Sequence, residues 1–367
     1  MADADKVRSV LNKVFKADVT YLMSDVGDAG DDAIPTGITA VDFGLFGIGG
    51  YPRGHFLELA GEEKAGKTTM VLHMIATAQE SDLVPLVIDP KGAVTSDVAR
   101  CRRIGVDPDG VVIVPVDSSE EALQKTREGM KKLTKEGIGL AFFWDDMGLT
   151  PTDSELNPNK DKSTKQDTVM VGSKAKAIWR FCRTMAGECY KQGAPMVVVN
   201  QLTANIVTGW GAQFAPKEIT AGGGGLKYTA RIRLILKAGK KLKVGKRKVG
   251  QVVYGETIAN AFHPPFQRSH LYLSFRDGYK SDLSSLLNAE AEGIVSKTRG
   301  RYKLKGAPRG TKGVLPQDMD DDFISEMEQK LWPWMDEEYT GEDDDSEDLD
   351  ETEAEEDEFA EGWIEDD

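Results

Sequence analysis

The chain has 367 residues, of which 40% are hydrophobic, and its formal net charge is −15. This length is sufficient for one large domain and a smaller one, and since no run of 18 apolar residues occurs, the sequence predicts no membrane span. The three cysteines fit no zinc-ligand spacing, the four histidines are scattered, and the charged start has no apolar signal segment. These features exclude a disulfide scaffold, argue against a metal site built on histidine and are typical of a cytoplasmic protein.

The negative charge is concentrated at the end of the chain. Residues 336–367 hold 20 acidic side chains and no Lys or Arg, so the first 335 residues carry 46 basic and 41 acidic groups. A segment this charged cannot bury enough apolar surface to fold alone, so we predict a disordered acidic tail. It is either a solubility tail, an electrostatic mimic of nucleic acid that competes for the basic body, or a docking motif through the apolar residues at 359–364.

The first 33 residues are predicted to be a separate arm. Residues 5–24 have the pattern of a helix followed by a short extended piece, and a linker rich in Gly and Asp comes next. Such an arm has little to pack on within its own chain. It either folds back on the domain or packs on a neighbouring subunit, which would make residues 1–33 an oligomerisation arm and linker.

Residues 34–282 alternate apolar runs with helical patterns, which predicts an α/β core. Strands separated by helices favour a mostly parallel, twisted sheet that is covered on both faces. Ligands bind at the carboxyl ends of such strands, and polar residues follow the strands here. Helices are expected over 68–80, 119–132 and 174–192, and strands over 55–60, 84–89, 139–146, 195–201, 231–236 and 271–275.

The segment before the tail, residues 283–335, is predicted to form a small α+β C-terminal domain. Its pattern indicates a helix over 284–295, a strand over 300–306 and a second helix over 320–332. The sequence has no internal repeats, so each predicted domain is a single unit.

Residues 61–68 match the Gly-x-x-x-x-Gly-Lys-Thr pattern of a loop that wraps phosphates. A strand is predicted before it and a helix after it, so backbone N–H groups and a helix dipole would face a nucleotide. Lys67 would reach the terminal phosphates, and Thr68 would bind Mg²⁺ together with Asp145, which ends a nearby apolar strand. The loop alone fits a kinase, a helicase, a transporter or a filament-forming switch. The predicted nucleotide contacts are Gly61, Glu62, Glu63, Lys64, Ala65, Gly66, Lys67, Thr68 and Thr69.

An ordered set of segments resembles the RecA family of ATP-dependent recombinases, including its phage-encoded members, over residues 5–335. The resemblance rests on the set rather than on any one motif. Helicases and clock-type ATPases share the core but not the Gly-Gly-Leu-Lys stretch or the C-terminal unit. The segments are IPTGITAVDFGLFGIGGYPRG (34–54), GEEKAGKTT (61–69), WDDMGLTP (144–151), VVVNQL (197–202), TAGGGGLKYTARIRL (220–234) and EGIVSKTRGRYKLKG (292–306).

The resemblance implies a RecA-like P-loop ATPase core with an N-terminal helical arm and a small α+β C-terminal domain. It also implies a protein that uses ATP and Mg²⁺, forms a helical filament on single-stranded DNA, pairs that strand with homologous double-stranded DNA and exchanges strands in recombination and repair. Single-strand-binding or mediator proteins would be further partners, and no membrane is involved. Two alternatives stay open: a non-hydrolysing RecA-like filament or mediator that uses ATP only for assembly, and a ring-forming DNA motor.

The resemblance adds Gln201 as the residue that senses the γ-phosphate. Five positions depart from the family, and two of them are Thr203 and Asn205, where its DNA loop often has basic residues. Lys91 stands where the family has its water-activating glutamate, and Ala259 and Ala261 stand where it has two lysines that reach the neighbour's γ-phosphate. We hypothesise that Lys91 supplies the missing positive charge in cis and that Asp146 replaces the missing base. Otherwise hydrolysis is very slow, or the changes are designed. The predicted catalytic residues are Lys67, Lys91, Asp146 and Gln201.

Two segments, residues 152–170 and 203–221, are predicted to be mobile DNA-binding loops. Basic side chains in them would contact phosphates, and apolar or aromatic ones would insert between bases or stack on them. The alternative is a pair of ordinary surface loops. The resemblance adds a helix face and two glycines of the Gly-rich stretch to the DNA surface. The predicted DNA contacts are Lys160, Lys162, Lys165, Lys176, Arg183, Ile206, Trp210, Phe214, Lys217, Gly222 and Gly223.

Two further clusters, residues 237–248 and 297–312, each hold seven basic side chains and no acid. A run of charge is usually a solvated face. Because these clusters contain no acid in a chain this acidic, we assign them to capture of duplex DNA by phosphate contact, which would weaken steeply with salt.

Overall fold

The computed structural model describes residues 3–16, 20–25, 30, 32–156, 166–204, 218–221, 223–308 and 311–335. The helices are α1 (Ala4–Phe15), α2 (Thr39–Asp42), α3 (Lys67–Glu80), α4 (Val98–Ile104), α5 (Ser119–Leu133), α6 (Asp153–Leu156), α7 (Gln166–Gln192), α8 (Gly224–Thr229), α9 (Ser281–Ala291) and α10 (Asp321–Leu331). The strands are β1 (Ala33–Ile34), β2 (Tyr51–Pro52), β3 (Phe56–Gly61), β4 (Val84–Ile88), β5 (Val112–Ile113), β6 (Leu140–Trp144), β7 (Met196–Val199), β8 (Leu202–Ala204), β9 (Glu218–Thr220), β10 (Ala230–Val244), β11 (Arg247–Asn260), β12 (Arg268–Ser274), β13 (Gly278–Lys280), β14 (Val295–Thr298) and β15 (Arg301–Leu304).

Within these ranges, the main sheet has nine strands in the order β13-β12-β11-β10-β3-β7-β6-β4-β5. Every neighbouring pair from β10 to β5 is parallel. The pairs β10–β11, β11–β12 and β12–β13 are antiparallel. The predicted α/β fold with a mostly parallel sheet is confirmed, and an antiparallel extension is added at one edge.

Two apolar clusters cover the two faces of this sheet. Successive residues of a strand point to opposite faces, so Leu57 of β3 belongs to the cluster that includes Val71 of α3, whereas Phe56 belongs to the cluster that includes α7. The rings of Phe56 and Phe181 meet edge to face at 6.3 Å. Burial on both faces explains why β6 and β7 read as unbroken apolar runs in the sequence.

The largest difference from the sequence expectation is a long β-hairpin. The strand predicted over 231–236 continues to Val244 as β10, and β11 returns from Arg247 to Asn260, where no strand is predicted. The basic cluster at 237–248 lies on the outer part of this hairpin. Cross-strand backbone hydrogen bonds hold these residues in strands, although their charged side chains give no burial pattern.

The described ends of both predicted DNA loops have regular secondary structure. Helix α6 and the start of α7 at Gln166 take up the ends of the 152–170 segment, and the antiparallel pair β8–β9 takes up the ends of 203–221. The expectation of loops over the full segments is wrong at these ends. At α6 the reason is a capping box, because the Glu155 N–H donates to Thr152 Oγ1 at 3.3 Å and the Thr152 N–H donates to Glu155 Oε2 at 2.6 Å.

The N-terminal arm is helical, as expected, and α1 is capped by Asp3, which accepts from the Lys6 N–H at 3.0 Å. Residues 20–22 have no regular secondary structure and residues 23–25 form a 3₁₀ turn, so the predicted extended piece is wrong at Met23. The Thr20 N–H donates to Asn12 Oδ1 at 3.0 Å, which links this segment to α1. The exposed apolar side chains of α1 are Val7, Val10, Leu11, Val14 and Phe15.

The C-terminal unit packs α9, α10 and the β14–β15 hairpin around an apolar cluster of its own. The helix predicted over 284–295 ends at Ala291, because Gly293 adopts a φ of 66° that suits a glycine after a helix end. Strand β14 then begins where helix is expected. The buried members of the cluster are Leu286, Ala289, Val295, Tyr302, Leu304 and Met327.

Candidate functional site

The phosphate-loop motif lies between β3 and α3, at the carboxyl end of the parallel part of the sheet. Gly66 has a φ of 91°, a conformation that glycine adopts without strain. The Lys67 ammonium donates to the carbonyl oxygens of Gly61 at 2.8 Å and Glu62 at 2.6 Å. Burial lowers the pKa of Lys67 from its ordinary value, and the nearby carboxylates of Asp146 and Asp145 oppose that shift. The amine is therefore held at the loop, where it can reach a phosphate.

Asp145 follows the buried strand β6 and meets the loop directly. The Thr68 hydroxyl donates to Asp145 Oδ2 at 2.6 Å. Asp145 Oδ1 is buried and has no hydrogen-bond partner among the described residues. Burial raises the pKa of Asp145, against the effects of the Thr68 hydroxyl and the Lys91 ammonium. A buried carboxylate oxygen without a donor, beside a hydroxyl, is a donor set that fits Mg²⁺.

That fit depends on the nucleotide as well as on the protein. The described residues contain no group of three or more His, Cys, Asp or Glu side chains that could hold a metal ion. Thr68 and Asp145 would therefore hold Mg²⁺ together with phosphate oxygens and water, an arrangement that Mg²⁺ commonly adopts.

Lys91 stands beside the two acids at the end of β6. Its ammonium nitrogen lies 3.6 Å from Asp145 Oδ1 and 3.6 Å from Asp146 Oδ2. The loop that carries Lys91 is fixed by Asp89, whose carboxylate accepts from the N–H groups of Ala93, Val94 and Thr95 and from the Thr95 hydroxyl. Lys91 thus places a positive charge on the predicted metal acid.

Asp146 and Gln201 are hydrogen-bonded to each other. The Gln201 amide donates to Asp146 Oδ2 at 2.9 Å, and the Gly148 N–H donates to Asp146 Oδ1 at 2.7 Å. Gln201 leads directly into β8, and its carbonyl accepts from the Ala221 N–H at 3.0 Å, next to β9. The predicted sensor residue therefore joins an acid of the nucleotide site to the base of the second predicted DNA loop.

A buried ion pair lies beneath these residues and was not expected from the sequence. The Arg233 guanidinium donates to Glu58 Oε2 at 2.6 Å, and the Asn200 amide donates to Glu58 Oε1 at 2.8 Å. Arg233 also donates to the Thr220 hydroxyl at 3.1 Å. This network joins strands β3 and β10 to the residues that flank the β8–β9 pair.

A cavity of about 710 Å³ opens over the phosphate loop. Several of its lining residues were missed in the sequence because their place depends on packing or strand register. Arg100 donates to the Thr69 hydroxyl at 2.6 Å, and its buried Nε has no partner within the part of the chain that the structure describes. Phe275 follows β12, and 44% of its surface is exposed. The missed lining residues are Arg100, Leu202, Lys241, Gln251, Leu273 and Phe275.

The positions where lysines were expected lie at the end of β11. Ala259 pairs with Arg233 in the ladder, and the Ala261 N–H donates to the Arg231 carbonyl at 2.9 Å. Between them, the Asn260 amide donates to the Phe46 carbonyl at 3.0 Å. The two alanines thus flank a residue that ties the strand end to the core.

The candidate DNA surface is described only in part. Lys176 and Arg183 are exposed on one face of α7, with Trp179 and Arg180 between them. The Trp179 ring meets the Tyr228 ring edge to face at 5.8 Å, and the glycine stretch reaches this face at Gly223, which has a φ of 74°. The predicted contacts outside the described residues are Lys160, Lys162, Lys165, Ile206, Trp210, Phe214, Lys217 and Gly222.

Trp179 and Tyr228 are two aromatic residues of this surface that sequence reasoning missed. Their exposed fractions are 39% and 72%, and the Lys227 ammonium lies 5.7 Å from the centre of the Tyr228 ring. Exposed aromatic side chains among basic ones are typical of surfaces that bind single-stranded nucleic acid. The signal was the three-residue spacing of Lys176 and Trp179, which places both on one helix face.

Comparison with known proteins gives a consistent result. A family model of the RecA N-terminal domain matches residues 5–280. Protein RecA of Thermotoga neapolitana is 30% identical over 317 residues, which cover 83% of this chain and 86% of that protein. Protein RecA of Corynebacterium glutamicum is 28% identical over 331 residues, which cover 89% of this chain and 84% of that protein. Among the described helices, none has the length and apolar character needed to cross a membrane.

Proposed function

This chain belongs to the RecA family, and from that premise we propose that it is an ATP-dependent recombinase that forms helical filaments on single-stranded DNA. Within the filament it would pair the bound strand with homologous duplex and promote strand exchange. Residues 1–33 would dock on the neighbouring subunit through the exposed apolar side chains of α1, and the segments at 157–165 and 205–217 would face the DNA.

The observation that carries this proposal is the hydrogen-bonded link between the nucleotide site and the second DNA loop. The Gln201 side-chain amide donates a hydrogen bond to Asp146 Oδ2 at 2.9 Å, and β8 begins at the residue after Gln201. Arg233 donates one hydrogen bond to Glu58 on the strand before the phosphate loop and another to Thr220, at the other side of the DNA loop. A change at the phosphates that moves Gln201 would therefore move the base of the DNA loop.

In this proposal ATP and Mg²⁺ supply the triphosphate and the charge that neutralises it. Lys67 and the backbone N–H groups of the loop bind the phosphates, and Thr68 and Asp145 hold the metal. Asp146 keeps Gln201 oriented. The hypothesis that Asp146 also acts as the base stays a prediction, which Asp146→Asn tests through loss of turnover.

For DNA, we propose that the exposed face of α7 binds the single strand. Lys176 and Arg183 would contact phosphates, and Trp179 and Tyr228 would stack on bases. The outer part of the β10–β11 hairpin and the β14–β15 hairpin, which carry the two basic clusters, would capture the duplex.

Electron microscopy and strand-exchange assays test the main proposal. Wild-type protein with single-stranded DNA and ATP should form helical filaments and exchange strands, whereas Lys67→Ala should do neither. Closed rings would favour the ring-forming motor, and an absence of any assembly on DNA would overturn the proposal.

Lys91 favours a second candidate function, a filament that binds ATP and hydrolyses it slowly or not at all. Its ammonium lies 3.6 Å from Asp145 and from Asp146, where it adds positive charge but cannot accept a proton from water. We propose that this charge increases the affinity of the site for the triphosphate of ATP. Filaments and strand exchange with no measurable turnover would support this candidate.

Lys91→Ala and Lys91→Glu test the role of this charge. We expect Lys91→Ala to weaken ATP binding about tenfold, since a partly buried charged contact is lost. Lys91→Glu should weaken ATP binding too and should increase turnover. Calorimetric titration with ATP and a phosphate-release assay measure the two effects, and unchanged ATP affinity in Lys91→Ala would contradict the proposal.

A further inference from the structure

The base of the β10–β11 hairpin is hydrogen-bonded to the phosphate loop on both of its strands. The Glu62 N–H donates to the Leu236 carbonyl at 3.1 Å, and the Ala238 N–H donates to Glu62 Oε2 at 3.0 Å. From β11, the Gln251 amide donates to the Lys64 carbonyl at 2.8 Å. The loop and the hairpin are therefore a single hydrogen-bonded unit.

A bulge in β10 lies at the level of this contact. The pairing register between β10 and β11 shifts between Ala238 and Lys241. Gly239 occupies the bulge, and the structure requires glycine there because a Cβ atom would lie 2.4 Å from the Tyr254 ring and 3.0 Å from the Val252 carbonyl oxygen. Bulges beside functional sites commonly redirect a side chain, and Lys241 is the residue at which β10 resumes its pairing with β11 after this bulge.

Lys241 lines the cavity over the phosphate loop together with Gly61, Lys64 and Lys67. Its ammonium donates to Gln251 Oε1, and the Gln251 amide nitrogen donates to the Lys64 carbonyl. Gln251 is 1% exposed, so this side chain is fixed between the lysine and the loop. An ammonium has three N–H donors, which allows Lys241 to keep this contact and still donate to an anion in the cavity.

We propose that Lys241 is a phosphate-binding residue of the nucleotide site, supplied by the hairpin of the same chain. The inference rests on the proposed function, because it requires that the cavity binds a nucleoside triphosphate. It places on β10 a cation that the chain does not carry at Ala259 and Ala261, at and just beyond the end of β11. It also ties the hairpin, whose outer part bears Lys243, Lys246, Arg247 and Lys248, to the occupancy of the nucleotide site.

Lys241→Met tests the inference, with Lys243→Met as a matched control. Both variants remove one positive charge from the same strand, but Lys243 pairs with Lys248 near the tip of the hairpin, farther from the loop. We expect Lys241→Met to weaken ATP binding about tenfold, the size expected for one charge-assisted contact, and Lys243→Met to leave it unchanged. Calorimetric titration of the full chain with ATP and Mg²⁺, without DNA, measures both.

Lys241→Arg distinguishes a direct phosphate contact of this residue from a structural role in the hairpin. An arginine keeps the charge and can still donate to a phosphate, so its affinity should stay within about twofold of wild type. Lys241→Met leaves the buried Gln251 Oε1 without its donor, so its thermal unfolding midpoint without nucleotide should fall, whereas Lys241→Arg should keep the wild-type midpoint. A phosphate contact predicts that Lys241→Met weakens binding of ATP but not of adenosine, and equal losses for the two ligands would assign the lysine to the hairpin's structure and overturn the inference.

Three other results would also overturn it. Equal ATP affinity in Lys241→Met and wild type would remove Lys241 from the site while leaving the proposed function intact, and equal losses in Lys241→Met and Lys243→Met would reduce the effect to bulk charge. Absence of ATP binding by the wild-type protein would overturn the proposed function and this inference together.

Discussion

The two halves of the main sheet build the candidate nucleotide site in different ways. In the parallel half, β6 and β7 are buried along their whole length, and Asp145, Asn200 and Gln201 follow them directly. In the antiparallel half, β12 alternates buried and half-exposed residues, and Lys241, Gln251 and Phe275 reach the cavity from the side. The parallel half thus presents strand ends to the phosphates, and the antiparallel half forms a wall.

The two halves of the sheet differ in how they accommodate charged side chains. Inside the parallel half, where both faces of a strand are buried, the Glu58 carboxylate is satisfied by Arg233 and Asn200. Where one face is open to water, ion pairs such as Arg268 with Glu256 are solvated. Breaking a contact in the parallel half should therefore lower the free energy of unfolding strongly. Changing a contact in the antiparallel half should mainly alter the affinity for the nucleotide.

The largest expected effect contrasts these two ion pairs. Arg233→Met leaves the Glu58 carboxylate, which is 1% exposed, without its cation, so we expect the free energy of unfolding to fall by about 3–5 kcal/mol. Arg268→Met removes a pair whose arginine is 45% exposed, and should cost less than about 1 kcal/mol. Urea unfolding of the protein without nucleotide measures both. Equal costs would contradict the comparison between the halves.

The same comparison explains what the sequence could predict. Lys67 and Asp145 were predictable because the loop pattern and the buried apolar run each fix the position of the residue that follows. Lys241 and Gln251 were not, because their approach to the loop depends on the register of a hairpin and on a bulge at Gly239. Strand pairing of this kind leaves no periodic signal in exposed, lysine-rich residues.

The helices show a similar division. The helix that begins at Lys67 was expected almost to the residue, since the motif itself requires a helix there. Arg100 was missed because its contact with Thr69 depends on how α4 docks beside α3. Thr152 and Glu155 have the sequence spacing of a capping box, which indicates a helix start, whereas the polar composition of the surrounding segment favours a loop.

A second prediction concerns the contact between α3, which follows β3 of the parallel half, and β13, the edge strand of the antiparallel half. His73 of α3 accepts a hydrogen bond from the Tyr279 N–H of β13 at 2.9 Å. Burial lowers the pKa of His73 to about 4, and Lys280 and Arg100 add to the shift. The unfolded chain takes up this proton near the ordinary value of 6.5, so between that pH and about 4 the unfolded state binds more protons and stability falls as the pH falls. The loss from pH 7 to pH 5 should be about 2 kcal/mol.

His73→Gln is the matched variant, because glutamine can still accept from the Tyr279 N–H but does not titrate. Its unfolding free energy should fall less between pH 7 and pH 5 than that of the wild type, by roughly the 2 kcal/mol assigned to the histidine. Urea unfolding at the two pH values gives the difference, and parallel losses in both proteins would exclude His73 as its source.

The smallest expected effect asks whether Phe275 of the antiparallel wall recognises the base, beside the phosphate contact proposed for Lys241 of the same wall. Phe275 is 44% exposed on the cavity side of β12, and its N–H donates to the Val249 carbonyl at 2.9 Å, which fixes its backbone. Stacking of an aromatic ring on a base contributes about 1–3 kcal/mol, so Phe275→Ala should weaken ATP binding about tenfold, and Phe275→Tyr should not. Inorganic tripolyphosphate has no base to stack, so its affinity should be the same in all three proteins, whereas Lys67→Ala should weaken both ligands. A Phe275→Ala variant that lost tripolyphosphate as strongly as ATP would place the aromatic ring in the phosphate site and exclude Phe275 as the residue that recognises the base.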